Sequence, residues 1–425
     1  MRILHIIQRY WPIRGGAEIH LDAFSTRLAA DGHTVTVATS DAKDFELFWH
    51  PGAGRFDASE AWHDGVRILR FPVGHVPVAQ LAYPAIRRLL WLLSAIKPVP
   101  VPILSRLARW TPWMPDLWRW LRETDESFDL VAAMTITFEP LLEAGLRFAR
   151  RRGVPFVLYP LTHLGAGPEP GIDALSRFYT MRHQVDLVRR SDAVVAQTPA
   201  ERDFYVARGV DPTKIHIVGP GFEPDEVIGG DGSRFRARHG LEGPIVFMLT
   251  KMSYDKGVPH TIEAMAQLWA TGSQAHLVLA GDVLDTFGAF YDRLPDQTRA
   301  RITLLGTVSD EEKRDLLAAG DILVMPSRTD SFGIVYLEAW AYGTPVIGAR
   351  TWGVMDVIDD GVDGLLVPFA DPPALAEAIG YLLDNADQAQ RMGERGKAKA
   401  LTQHTWDHKY PGIRDLYLRL VAAQT

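Results

Sequence analysis

Short runs of apolar residues alternate along this chain with segments whose apolar positions recur every three or four residues. Residues 2–7, 34–39, 130–134, 156–159, 193–196 and 215–218 read as strands. Between the first two, residues 17–30 place Ala17, Leu21, Phe24 and Leu28 on one helical face, and Gly32 stops the helix. A stretch rich in Gly, Pro and charge, 224–244, predicts an interdomain linker holding one short helix. The alternation then restarts, with strands predicted at 245–249, 276–280, 302–305, 322–325, 345–348 and 364–367. Strands that are apolar throughout belong to parallel sheets covered on both faces. The pattern therefore predicts an α/β protein of two doubly wound, Rossmann-like parallel-sheet domains with a cleft between them.

Composition narrows the reading. The 425 residues are 47% hydrophobic and 23% charged, enough for two or three cores. The formal charge of −7 excludes a chain that coats nucleic acid through an overall basic surface. With no cysteine there is no disulfide scaffold, thiolate metal site or cysteine nucleophile, as suits a reducing cytosol. The opening apolar run is too short for a signal-peptide core. The longest later run, 89–96, falls far short of the ~18–20 residues of a membrane span. A soluble or peripheral protein is expected, cytoplasmic or on the inner face of the plasma membrane.

One segment breaks the pattern. Residues 65–120 hold eight lysines and arginines against one acid, Asp116, and five tryptophans, Trp91, Trp110, Trp113, Trp118 and Trp120. Such a stretch suits the surface of an anionic membrane or an amphiphilic acceptor. The alternative is an insertion that packs its aromatics on the first domain. Pro84, Pro98, Pro100 and Pro102 argue against a single long helix.

The candidate chemistry follows strands. After 322–325 comes Pro326-Ser327-Arg328-Thr329-Asp330-Ser331-Phe332-Gly333-Ile334, leading into a helix that Asp330 or Ser331 is expected to cap. The backbone N–H groups near Phe332, Gly333 and Ile334 then form an anion site at the positive end of the helix. Glu338, predicted two turns in, is placed to accept hydrogen bonds from a diol such as ribose. After 245–249, Lys251 and Lys256 are five residues apart in a loop ending at Gly257, a spacing that lets both reach a diphosphate or leaves both solvated. Gly15-Gly16 opens a helix after the first strand, whose first turn carries Glu18 and His20, either facing an acceptor or solvated. Gly-x-Gly-x-x-Gly, the phosphate loop of P-loop ATPases and any Asp-x-Asp pair are all absent.

Together these blocks resemble glycosyltransferase family 4. The resemblance extends over nearly the whole chain. Gly15-Gly16-Ala17-Glu18 and Gly32-His33-Thr34-Val35 are followed by Lys251…Lys256-Gly257, Ala280-Gly281-Asp282, the stretch from Pro326 to Glu338, Gly343-Thr344-Pro345-Val346 and Asp360-Gly361…Gly364. It implies a GT-B fold, with residues 1–222 as the acceptor-side domain, 223–404 as the donor-binding domain and 405–425 as a helix returning to the first. It also implies retaining, metal-independent transfer from a nucleotide-diphosphate sugar, UDP- or GDP-linked, with no other cofactor. The acceptor is a hydroxyl of a glycan, glycolipid or lipid-linked precursor.

The resemblance assigns Lys251 the place of an arginine and Lys256 that of a lysine, both on the donor diphosphate. Asp330 and Glu338 match a Glu-x7-Glu pair, with aspartate shortening the first carboxylate. Gly16 lies near the diphosphate, and His163 stands where a histidine often faces the sugar; otherwise it is a loop histidine that only packs. Lys256, Asp330 and His163 are the catalytic candidates; Gly16, Lys251, Phe332, Gly333, Ile334 and Glu338 join Lys256 in binding donor. Two other activities fit the same donor domain, a nucleotide-sugar epimerase and a non-catalytic nucleotide-sugar-binding or membrane-scaffold protein.

Overall fold

The computed structural model describes residues 1–424. Two compact units form, one from Met1–His163, Gly171–Gly219 and the chain from Tyr410 on, the other from Leu164–Pro170 and Pro220–Lys409.

The first unit is built on an eight-stranded sheet. Its strands are β1 (Arg2–Ile6), β2 (Thr34–Ser40), β3 (Glu60–His63), β4 (Val66–Phe71), β5 (Leu130–Met134), β6 (Phe156–Tyr159), β7 (Ala193–Ala196) and β8 (Ile215–Ile217). They lie in the order β3-β4-β2-β1-β5-β6-β7-β8, parallel except for β3. The six strands of the second unit are β9 (Ile245–Leu249), β10 (His276–Ala280), β11 (Ile302–Gly306), β12 (Ile322–Met325), β13 (Val346–Ala349) and β14 (Gly364–Val367). All are parallel, in the order β11-β10-β9-β12-β13-β14. Both sheets reverse winding direction beside their first strand, between β1 and β5 and between β9 and β12. Loops leaving the carboxyl ends of strands at such a point face a crevice where ligands bind.

The hairpin of β3 and β4 departs from the sequence reading, which placed no strand there. Asp64 and Gly65 join them with φ of 43° and 80°, the left-handed pair of a two-residue Asp-Gly turn. The linker holds two helices rather than one, Pro224–Val227 and Gly232–His239. Asp231 caps the second by accepting from the Arg234 N–H at 3.0 Å, and the Arg234 side chain grips the buried Asp315. In the first unit the last helix closes on the sheet, where the buried Tyr417 hydroxyl accepts from Tyr159 at 3.0 Å.

The basic segment folds as three helices after β4, Ala79–Ala95, Val101–Ala108 and Pro115–Glu123. Pro84 lies within the first, whereas Pro98 and Pro100 fall between helices. The first two helices pack together as a helical hairpin through Leu90, Leu104 and Ala108, and three arginines mount it on the unit. Arg87 is buried against Glu139. Arg177 stacks over Trp91 at 4.5 Å. Arg182 donates to the carbonyls of Ser94, Ile96 and Val99 at 2.7, 2.8 and 2.9 Å, tying the end of the first helix and the turn that follows it to the unit. Four of the five tryptophans are half-buried by packing; Trp110 alone of the five is exposed. Among the described residues no helix is long and apolar enough to cross a membrane.

Candidate functional site

In the second unit, β9 and β12 are neighbours, so the loops that leave their carboxyl ends run side by side. Gly257 shows how closely. Its φ is +77°, and a Cβ there would come within 2.5 Å of the Pro326 carbonyl oxygen. Two ion pairs join the loops. Lys256 Nζ lies 2.6 Å from Asp330 Oδ1, and the Arg328 guanidinium grips Asp255 Oδ1 at 2.6 and 2.8 Å. Sequence reasoning named the first pair as separate candidates and missed the second. The structure thus brings Lys256 and Asp330 together. Lys251, on the loop after β9, is half exposed and among the described residues reaches only Asp282, at 3.6 Å.

The helix expected to start at a side-chain cap starts instead at Ile334, with Gly333 as its N-cap and no capping side chain; neither Asp330 nor Ser331 takes that role. Gly333 has a φ of +90°, and the Tyr336 ring would lie 2.4 Å from a Cβ there, so glycine is required by both backbone and packing. The Tyr336 hydroxyl donates to the Met325 carbonyl at 2.8 Å and pins the turn to the end of β12. Among the described residues the N–H groups of Phe332, Gly333 and Ile334 donate to no protein acceptor. With the helix beginning at Ile334, Glu338 is one turn in rather than two. Its Oε1 accepts from Lys313 Nζ at 2.7 Å, a partner from the helix Asp310–Ala319 that no local sequence signal marks. A carboxylate with one oxygen so held keeps the other for a hydroxyl donor.

In the first unit, Gly16 is the exposed first residue of the helix Gly16–Ala30, and a Cβ there would meet nothing within 4 Å. Glu18 and His20 correct the expectation of solvation, for both are buried. Burial pushes the Glu18 carboxyl up against the opposing pull of Arg9, 3.3 Å away. Burial likewise lowers the His20 imidazole to about 3, so it is neutral at physiological pH. The two pack inside the fold instead of presenting charge to solvent.

His163 follows β6 on a half-buried loop, its ring 4.5 Å from that of Tyr179. That loop is held by a residue the sequence reading did not single out. Buried Glu201 accepts from the Thr162 N–H at 2.6 Å through one oxygen and from the Gln197 N–H at 2.8 Å through the other. The Thr162 hydroxyl meets that of Tyr205 at 2.7 Å. One carboxylate therefore ties the ends of β6 and β7 and fixes the backbone immediately before His163.

Two doubly wound parallel sheets of this order define the GT-B class of fold. Residues 15–221 match the family model described as a glycosyl transferase 4-like domain, and residues 231–399 match glycosyl transferases group 1. The chain belongs to glycosyltransferase family 4. It is 30% identical over 300 residues to a D-inositol 3-phosphate glycosyltransferase of Acidothermus cellulolyticus, covering 65% of this chain and 64% of that one. The chain thus spans just under two thirds of the length of that relative. A glycogen synthase of Mycobacterium tuberculosis is 27% identical, with 98% of this chain and 94% of the relative aligned. The crystal structure of HepE from Anabaena in complex with UDP and glucose superposes with a TM-score of 0.71 at 20% identity, over 99% of this chain and 100% of that one.

Proposed function

We propose that this chain transfers a glycosyl group from a nucleotide-diphosphate sugar, UDP- or GDP-linked, to a hydroxyl of a glycan, glycolipid or lipid-linked acceptor, with retention at the anomeric carbon and without a metal. The observation that carries the reading is the Lys256–Asp330 pair beside the N–H groups of Phe332, Gly333 and Ile334, which have no acceptor among the described residues, with Glu338 one helical turn away. The diphosphate gains negative charge as its bond to the anomeric carbon breaks. Lys256, Lys251 and the N–H groups at the helix start supply positive charge where that charge develops. Glu338 receives the ribose hydroxyls, Gly16 leaves room for the diphosphate, and His163 and Asp330 are assigned to the transferred sugar. The acceptor hydroxyl forms its new bond on the face the diphosphate leaves, and its proton passes to the departing phosphate oxygen.

A thermal-shift panel of UDP-, GDP- and ADP-sugars tests the donor assignment, since a bound donor raises the melting temperature by mass action. Glu338→Ala is expected to weaken the responding donor at least tenfold, the scale of one lost charged hydrogen-bond acceptor. Equal affinity in variant and wild type would remove Glu338 from the site.

The helical hairpin supports a membrane-facing acceptor side. Its outward positions include Leu81 (72% exposed), Leu89, Leu92, Ile96, Ile103 (54% exposed) and Trp110, and no acid occurs from Gly65 to Pro115. The exposed cations Arg88, Lys97 and Arg106 complete a surface matched to anionic lipid. Leu92→Asp with Ile103→Asp is expected to cut co-sedimentation with phosphatidylglycerol vesicles at least fivefold. Unchanged pelleting would instead favour an acceptor contact made without lipid.

A further inference from the structure

The helix Glu139–Arg152 ends in a concentration of arginines. Two or three cations in a last turn complement the helix dipole and need no ligand to explain them. The surroundings here go beyond that. Arg109, Arg122, Arg147 and Arg151 line a cavity of about 220 Å³ whose apolar side is Trp118 and Leu121. A neighbouring cavity of about 430 Å³ shares Arg147 and Arg151 and adds Arg150 and Arg190.

The guanidinium groups are unequally neutralised. Arg147 and Arg190 share the two oxygens of Glu143, at 2.7 and 2.6 Å. Arg150 pairs with Asp192, and Arg122 with its exposed neighbour Glu123. Among the described residues the Arg151 guanidinium has only the Leu121 carbonyl, at 2.9 Å. The Arg109 guanidinium makes, among the described residues, neither a hydrogen bond nor an ion pair, and its Nε is shut off from solvent. It lies over the Trp118 ring at 4.5 Å, with Arg147 5.9 Å from the same ring. Burial, and then the nearby charge of Arg147, push the Arg109 guanidinium below its usual range. Two cations thus line one cavity with no carboxylate of their own, and a half-buried cation without an acceptor is costly to keep.

We propose that this cavity is a second anion site, which takes a phosphoryl group through Arg109 and Arg151 with its organic substituent against Trp118. Guanidinium forks match phosphate oxygens two at a time, and the volume equals that of about seven waters, enough for a phosphoryl group and the start of its substituent. None of these residues belongs to the proposed donor site, so the inference stands apart from the transferase reading. The shared chemistry is a phosphate anion, whether free or on a lipid headgroup.

The test uses the full chain, wild type and Arg109→Gln/Arg151→Gln, with Lys256→Ala to register phosphate bound in the donor loops. Inorganic phosphate at 10 mM is expected to raise the wild-type melting temperature by about 2 °C. The double variant should lose most of that shift, and Lys256→Ala should keep it. In a parallel arm, phosphatidic acid in phosphatidylcholine vesicles should pellet the wild type at least fivefold better than the double variant if the source is a headgroup. A response to phosphate alone assigns a free phosphate ester, and a response to vesicles alone a lipid. A double variant with wild-type circular dichroism that matches the wild type in both arms would overturn the proposal, as would a phosphate shift abolished by Lys256→Ala and no difference in the vesicle arm.

Discussion

Lys256→Ala is expected to lower kcat by two to three orders of magnitude on the donor that the thermal-shift panel identifies, with a smaller change in KM. That is the scale on which enzymes lose rate when one group aimed at developing negative charge is removed. The side chain is largely enclosed, and its ammonium lies 2.6 Å from Asp330 in a loop joined to the helix start by Arg328 and Asp255. A cation fixed in this way needs little reorganisation when the diphosphate leaves. An interaction that strengthens only as charge builds lowers kcat when lost, whereas uniform binding affects KM. Lys251 provides the contrast. It is half exposed and 3.6 Å from an exposed aspartate, so solvent screens it and its chain must be ordered on binding. Lys251→Ala is therefore expected to cost about tenfold at most. Steady-state kinetics on both variants separate the two roles, and a Lys256→Ala enzyme with wild-type kcat would remove Lys256 from the reaction.

The reading of the sequence was strongest where local pattern suffices. Strands β5, β6, β7, β9, β10, β12 and β14 fall at the residues their apolar runs predict, because buried parallel strands are continuous hydrophobic runs bounded by polar turns. The hairpin of β3 and β4 was missed although Asp64-Gly65 is a strong turn signal, since the residues around it alternate weakly and lie in a segment that composition marked as an insertion. The helix start was displaced because capping propensity favours Asp330 and Ser331, whereas Tyr336 and the end of β12 fix the backbone at Gly333. Glu18 and His20 were read as facing an acceptor or solvated from their helix position alone; their burial comes from packing of remote segments. Lys313 on Glu338, Arg328 on Asp255 and Glu201 beneath His163 are partners brought together by topology. Even so, Lys256 after β9 and Asp330 after β12 do meet, because adjacent strands at the reversal point must place their carboxyl-end loops together.

Arg87→Ala is expected to be the most damaging single change for stability, costing about 3–5 kcal/mol, the usual loss when one member of a buried ion pair is deleted. Arg87 Nη1 lies 2.5 Å from Glu139 Oε1, the same oxygen meets His183 Nε2 at 3.0 Å, and all three residues are buried. Burial pushes the Glu139 carboxyl up, but Arg87 and His183 outweigh it and hold the carboxyl below the ordinary 4.5. Such a carboxylate contributes stability above its unfolded value and loses it as pH falls through the lower folded value. Without Arg87 the burial penalty is opposed mainly by His183, so the carboxyl rises and takes up a proton more readily. The gap between variant and wild type should therefore be widest near neutral pH and narrow as the pH falls, from the variant's raised carboxyl value down through the wild type's lowered one. Thermal melts across pH 3–8 check the sign. Arg87→Met with Glu139→Leu removes both charges and is expected to recover most of the loss, because the cost lies in the stranded carboxylate and not in the missing bond. A double variant no more stable than Arg87→Ala would instead place the cost in the packing of the hairpin against the first sheet's helices.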